Sequence, residues 1–229
     1  MTEKMTEPVV DIGLASSSLV ELTVNRLRRE ILAGALVPGE RLVEEQVTRR
    51  FGISRAPLRE ALRLLGEQGL VEHLPRRGSR VTDLSPVEVE QLFGIRGALE
   101  QHAIELTFPM AQPPTEATLA PVREWLDRMR QADADGDQLR KDDAHRAFHA
   151  AIVSLAGNRQ LDLALEPILW QLQRPMALNL RRETQELGPE EGIRRHERLI
   201  RALETNDREV ILRELRDHGT HRFLNVSAS

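Results

Sequence analysis

Between Asp142 and Ile152 the chain reads DDAHRAFHAAI, which sets His145 and His149 four residues apart. In a helix, four residues amount to about 400° of rotation, so both imidazoles leave one face about 40° apart. Such a pair can chelate a divalent ion. Imidazole-rich sites suit zinc or nickel rather than calcium or magnesium. The chain has seven histidines and no cysteine, so disulfides and thiolate ligands are excluded. For any single histidine the alternative is an ordinary polar residue of a core or surface.

A second set of residues points to different chemistry. Arg55, Arg59 and Arg63 stand at i, i+4 and i+8, opposite Leu58, Leu62 and Leu65. Such a row can enter a major groove, where arginine makes bidentate contacts to guanine or phosphate. The net charge of −4 by itself argues against a nucleic-acid partner. Its distribution does not. Residues 49–80 hold eight arginines against three acids, a local balance of +5, whereas residues 85–229 hold 19 basic and 24 acidic residues, or −5. The competing reading is a helix face that arginines merely solvate.

The elements that must position these residues follow from periodicity and punctuation. A helical stripe runs through Val20, Val24, Leu27 and Ile31, with the serines at 16–18 as its cap. A short helix from about Val43 to Phe51 is expected to bury Val43, Val47 and Phe51 and to end at Gly52. Ser54 then caps a third helix, with Pro57 in its first turn, where a missing N–H is harmless. Two short β-like runs around Pro75-Arg76-Arg77-Gly78 form a hairpin. Arg76 and Arg77 at its tip could reach backbone or minor groove, and Gly78 lets the turn approach closely. Three helices and a hairpin make a winged helix-turn-helix pattern.

From Ser85-Pro86 onward only helices are expected, at about 86–107, 115–134, 137–156, 158–181, 189–205 and 207–225. Pro167 and Pro175 should bend or break the fourth of these. Aromatics are scarce (no Tyr, two Trp, five Phe), so Leu, Ile, Val and Ala must build the core, with Trp125 and Trp170 in it. The fold class is mostly α, an N-terminal winged helix-turn-helix followed by an all-α bundle. The expected division is a flexible tail at 1–17, a DNA-binding domain at 18–84 and a helical domain at 85–229. The N-terminus is not a secretory signal and no segment is long and apolar enough to span a membrane, so a cytoplasmic protein is expected.

The stretch ERLVEEQVTRRFGISRAPLREALRLLGEQGLVEHLPRRGSRVT resembles the DNA-binding domain of the GntR family of bacterial transcription regulators, over about Leu19 to Leu84. The resemblance implies that Ser54, Arg55 and Arg59 take the places of the family's main DNA-contacting residues, and that Gly78 is the wing glycine. Ala56 stands where the family often has Thr, which removes one hydroxyl contact to phosphate.

EQLFGIRGALEQHAIELT and RAFHAAIVSLAGN resemble the FCD-type effector domain of the FadR-like branch, over roughly 86–225. In that domain helices surround a cavity that often holds a divalent metal and a small carboxylate. The family pattern is an acidic residue, a histidine four positions later, and two histidines from the last two helices. By that resemblance His149, His196 and His218 are metal ligands. His145 falls where an Asp is common, which leaves open whether His145 or Asp142 is the first ligand. His221 is a substitute for His218, while His73 and His102 fit no constellation. Arg96 matches an arginine near the effector cavity. Its competing role is an intrahelical pair with Glu100. Asn179 and Arg182 are further candidates for the cavity.

These observations describe a transcription regulator, a repressor in the usual family arrangement. It would bind operator DNA as a homodimer, because one short recognition helix gives too little specificity alone. A small-molecule effector, an organic or sugar acid, would be held beside a divalent transition metal, zinc or nickel. Two alternatives stand against this: a helical metalloenzyme with a DNA-binding appendage, and a regulator whose metal is purely structural. No carboxylate is placed as an evident general base, and HRAFH lacks the Glu of the His-Glu-x-x-His pattern.

Overall fold

The computed structural model describes residues 12–188 and 190–218 of the 229. The expected tail at 1–17 falls largely outside them, as does His221. The chain divides into two compact units.

The first unit contains α1 (Ile12–Leu32), β1 (Arg41–Leu42), α2 (Glu44–Phe51), α3 (Arg55–Glu67), β2 (Val71–Leu74) and β3 (Gly78–Val81). Helix α1 packs on α3. Val24, Leu27 and Ile31 meet the apolar side of α3, where Leu58, Ala61, Leu62 and Leu65 are buried. Helix α2 ends at Gly52, whose φ of 67° and N–H to Thr48 carbonyl close the turn before α3. The strands form one antiparallel sheet in the order β1-β3-β2, with Val71 opposite Val81 and Leu74 opposite Gly78.

Three local expectations are corrected here. Helix α1 starts at Ile12 and runs through the serines at 16–18, so they do not cap it. Val43 is exposed, because α2 begins one residue later and Val43 is extended backbone at its N-cap. Phe51 is only half-buried, with the Arg26 guanidinium 3.9 Å from its ring centre. Strand β1 was not anticipated. Two residues carry no periodicity, and pairing with β3 (Leu42 opposite Ser79) is what makes them a strand.

The second unit is helical: α4 (Pro86–Thr107), α5 (Glu116–Ala134), α6 (Gln138–Ser154), α7 (Arg159–Leu187), α8 (Glu191–Glu204) and α9 (Arg208–His218). Helix α4 opens on a capping box: Ser85 Oγ accepts from Glu88 N–H, and the Glu88 carboxylate accepts from Ser85 N–H. Helix α7 continues to Leu187, past the expected end at 181, and neither Pro167 nor Pro175 ends it. Its buried side, including Leu161, Leu165, Leu169, Leu172, Met176 and Leu180, packs on α4 and α6 and outweighs the lost backbone bonds. The last expected helix, to 225, lies partly outside the described residues.

One apolar cluster joins Phe108, Val122, Leu126, Met129, Phe148, Ile152, Leu199, Leu203 and Ile211. A second joins Phe93, Ala103, Val153, Leu165, Leu169 and Leu172. Trp170 is buried as expected. Trp125 is only half-buried at the rim, with the Arg128 guanidinium 4.3 Å from its ring centre. Among the described residues no helix is long and apolar enough to cross a membrane.

Candidate nucleic-acid face and metal centre

In the first unit Ser54, Arg55, Arg59 and Arg63 are exposed at the start and along the outer side of α3. The three arginines differ in what holds them. Arg59 Nε lies 3.1 and 3.0 Å from the two carboxylate oxygens of Glu44 on α2. Arg63 pairs with Glu60 at 2.7 Å and with Glu67. Arg55 has no acidic partner among the described residues. At the hairpin tip Arg76 (φ 60°) and Arg77 are exposed and likewise unpaired there, next to Gly78 (φ 83°). The left-handed backbone at Arg76 and Gly78 turns the chain sharply and pushes both guanidinium stems outward. Sequence spacing makes the α3 arginines look equivalent. The acids of α2 and α3 make Arg55 the one with its full charge available to a phosphate or base edge.

In the second unit the four aligned histidines come from three helices: His145 and His149 from α6, His196 from α8 and His218 from α9. All four are buried. Ligating nitrogens of His145, His149 and His196 lie within 4.8 Å of one another. The Nε2 atoms of His145 and His149 are 3.2 Å apart. Around a tetrahedral zinc with Zn–N near 2.0–2.1 Å, ligand nitrogens sit roughly 3.4 Å apart. The pair on α6 therefore already has ligand spacing. His218 is outside the three-nitrogen set, but its ring centre is 4.4 Å from that of His196 and 5.2 Å from that of His149.

Hydrogen bonds fix the tautomers of two of the four histidines. An ionised carboxylate can only accept, so His149 Nδ1–H donates to Glu100 Oε1 at 2.8 Å and Nε2 carries the lone pair. His196 Nδ1–H donates to the Gly192 carbonyl at 2.5 Å, which leaves its Nε2 as a lone pair with no partner among the described residues. Both nitrogens of buried His218 likewise have no hydrogen-bond partner among the described residues. Orphaned buried nitrogens are costly unless something binds them. Burial holds His145, His196 and His218 well below the usual histidine range, and the neighbouring imidazoles and Arg195 add to it. Burial and Arg96 lower His149 as well, against the opposing pull of Glu100. The buried imidazoles are neutral, the state in which imidazole ligates a metal; His149 and His196 present an Nε2 lone pair, and His145 Nε2–H is placed to donate to that of His149 at 3.2 Å.

The surroundings place the other candidate residues. Asp142 does not join the cluster: its carboxylate accepts from Arg181 Nη2 at 2.7 Å, and burial pushes its pKa up to about 6. Arg96 makes the i, i+4 pair that stood as its competing role, Nε to Glu100 Oε1 at 3.4 Å, with both side chains buried. Arg96 also lines a cavity with His145, His149, Asn179, Arg195 and His218, walled by Phe93 and Met176. Arg182 is not among the lining residues. The cavity leaves only about 10 Å³ for the centre of a water-sized sphere, room for one water or ion. His73 bonds Ser79 Oγ in the other unit, and His102 sits on the exposed side of α4 near Glu105.

Two features were missed from the sequence. Glu100 appeared only as the helical neighbour of Arg96, not as the partner of a histidine 49 positions away. The buried pair of Arg195 with Glu183 at 2.9 Å, in which Arg195 Nη1 also donates to the His218 carbonyl, carried no sequence signal beyond two charges.

A winged unit with free arginines at its recognition helix and wing, in one chain with a helical unit built around a polar cavity, defines a one-component regulator: a DNA reader and a sensor domain. Residues 19–81 match the model for bacterial regulatory proteins of the gntR family, and residues 91–221 match the FCD domain. The chain belongs to the GntR family of transcription regulators, in the branch with an FCD domain, and is a DNA-binding regulator rather than an enzyme. The "Uncharacterized HTH-type transcriptional regulator YdhC" of Bacillus subtilis (strain 168) is 30% identical over 201 residues, 86% of each chain. The "HTH-type transcriptional repressor GlaR" of Escherichia coli (strain K12) is 31% identical over 136 residues, 59% of this chain and 62% of that one. In fold, a putative GntR regulator from Rhodococcus sp. RHA1 matches with a TM-score of 0.73 at 23% identity, over 91% of this chain and 97% of that one.

Proposed function

We propose that this regulator is a repressor whose operator affinity is set by a small organic or sugar acid, sensed in the helical unit beside a bound zinc or nickel ion. The observation that carries the reading is the buried cluster of neutral histidines beside Arg96 and Asn179. His145, His149, His196 and His218 would hold the ion. Bound there, it supplies an electropositive point that an acid's oxygen can ligate. Arg96 and Asn179 would take the rest of the acid, through a guanidinium and an amide.

Ser54, Arg55, Arg59 and Arg63 would read the operator's major groove, with Arg76, Arg77 and Gly78 on the adjacent backbone or minor groove. The regulator would act as a homodimer in the cytoplasm. On the exposed side of α4 the residues Val87, Gln91, Gly94, Ile95, Ala98 and Gln101 form an uncharged stripe that supports the dimer, flanked by Glu88 and Glu90 and closed at its end by Glu105. The domain limits of 18–84 and 85–229 belong to the same proposal.

A second reading has its own support. The cavity has room for an ion but not, without rearrangement, for an acid as well, which favours a structural metal. A thermal-shift screen of small carboxylates on the zinc-loaded protein, followed by operator binding, separates the two. An acid that raises the melting temperature and weakens operator binding supports the sensor. Metal stabilisation with no acid response supports the structural ion.

A further inference from the structure

Helix α4 supplies none of the four histidines. They come from α6, α8 and α9. One side chain nevertheless ties α4 to them. Glu100, fully buried, accepts from His149 Nδ1–H at 2.8 Å, while Arg96 one turn earlier lies 3.4 Å away. The second oxygen of Glu100 has no hydrogen-bond partner among the described residues. The carboxylate is therefore aimed at one imidazole nitrogen and clamped from its own helix by a guanidinium. α4 is also the first helix of its unit, and only four residues separate it from β3 of the winged unit.

We infer that Glu100 is a positioning residue that orients His149 toward the metal and makes α4 respond to whether the metal is bound. This rests on the metal reading proposed above and goes beyond it, because it names the element that senses occupancy. The chemistry is that of a carboxylate behind a histidine ligand. Accepting from Nδ1–H fixes the tautomer, holds the ring plane and makes Nε2 a better donor. With its Nε2 engaged by a ligand cation, His149 Nδ1–H would be the stronger donor and its bond to Glu100 would tighten. Tightening that bond draws α4 against α6. The Arg96 clamp keeps Glu100 from turning away when the site is empty.

The test is hydrogen exchange on the full chain, metal-free and at saturating zinc, for wild type and for Glu100→Leu and Glu100→Gln. In wild type, zinc should slow exchange in α4, α6 and α8 together. Glu100→Leu should bind zinc about 10–100-fold more weakly. At saturating zinc it should protect α6 and α8 but leave α4 as in the metal-free protein. Glu100→Gln should fall between, since its amide oxygen can still accept. A merely structural loss would raise exchange with and without zinc alike, and that result overturns the proposal. So does zinc affinity within about twofold of wild type in Glu100→Leu. Should Glu100→Leu not fold, nitrogen NMR of His149 in the wild type decides: the Nδ1–H tautomer is required, and the Nε2–H tautomer refutes it. A wild type that takes up no zinc overturns the metal reading together with this one. Uptake without any change in α4 overturns this one alone.

Discussion

The two units place charge in opposite ways. In the winged unit the arginines stand at the surface, several of them paired with acids there: Arg49 with Glu45, Arg59 with Glu44 of the neighbouring helix, and Arg63 with Glu60 and Glu67. Exposed pairs of this kind contribute roughly 0–1 kcal/mol each and exchange readily for a phosphate. In the helical unit Arg96, Glu100, Glu183, Arg195 and four histidines are buried almost completely. Those groups cannot exchange partners cheaply, because removing one leaves another charged or polar atom stranded. The surface unit is built to trade contacts with a partner. The buried unit is built to hold one arrangement until something enters it.

That contrast is broken most severely by emptying the buried set. His149→Ala should lower zinc affinity at least about 100-fold, beyond the effect of any outer partner, as equilibrium dialysis would measure. The next effect falls on the surface. Arg55→Ala should weaken specific operator binding by about 1–3 kcal/mol and leave the fold intact. Arg59→Ala and then Arg63→Ala should have progressively smaller effects, because acids already occupy those side chains. Equal losses at all three positions in an operator titration would remove the distinction drawn between them.

Acid should expose the same contrast. Above about pH 6.5 the buried histidines are neutral in both folded and unfolded chains, and their contribution is unchanged. Below it the unfolded chain takes up protons that the folded chain, with its lowered imidazoles, refuses. Each such histidine then removes up to about 1.4 kcal/mol of stability per pH unit. Asp142, pushed up to about 6, acts in the opposite sense but is one group against four lowered histidines. Metal-free protein should therefore melt progressively lower from pH 6.5 to 5. A flat profile would mean that the imidazoles are not buried. The smallest effect is expected from Asp142→Asn on zinc affinity. Arg181 holds that carboxylate away from the cluster, so affinity should stay within about twofold, whereas His145→Asp should retain good binding.

The parts legible in the sequence were those with local periodicity or a familiar pattern. The leucine and arginine faces of α3, the hairpin around Arg76 and Arg77, and the order of helices from Ser85 onward could all be read before the structure. So could the pair at His145 and His149. The parts that were not legible depend on contacts between distant segments. Strand β1 exists because β3 pairs with it, α7 survives two prolines because α4 and α6 cover it, and Asp142 is drawn off by a residue on another helix. Glu100 is the clearest case: spacing offered only Arg96 as its partner, and the fold added His149.

Metal content measured together with melting is the most direct test of the central claim. Purified protein should be stripped with chelator, resupplied with zinc or nickel, and melted at pH 7.5 in both states. About one ion per chain should bind, and at a hundredfold excess over Kd it should add about 2.7 kcal/mol, a rise of roughly 5–10 °C in Tm. A protein that takes up neither ion, and melts at the same temperature with and without chelator, would reduce the four histidines to a buried polar stripe.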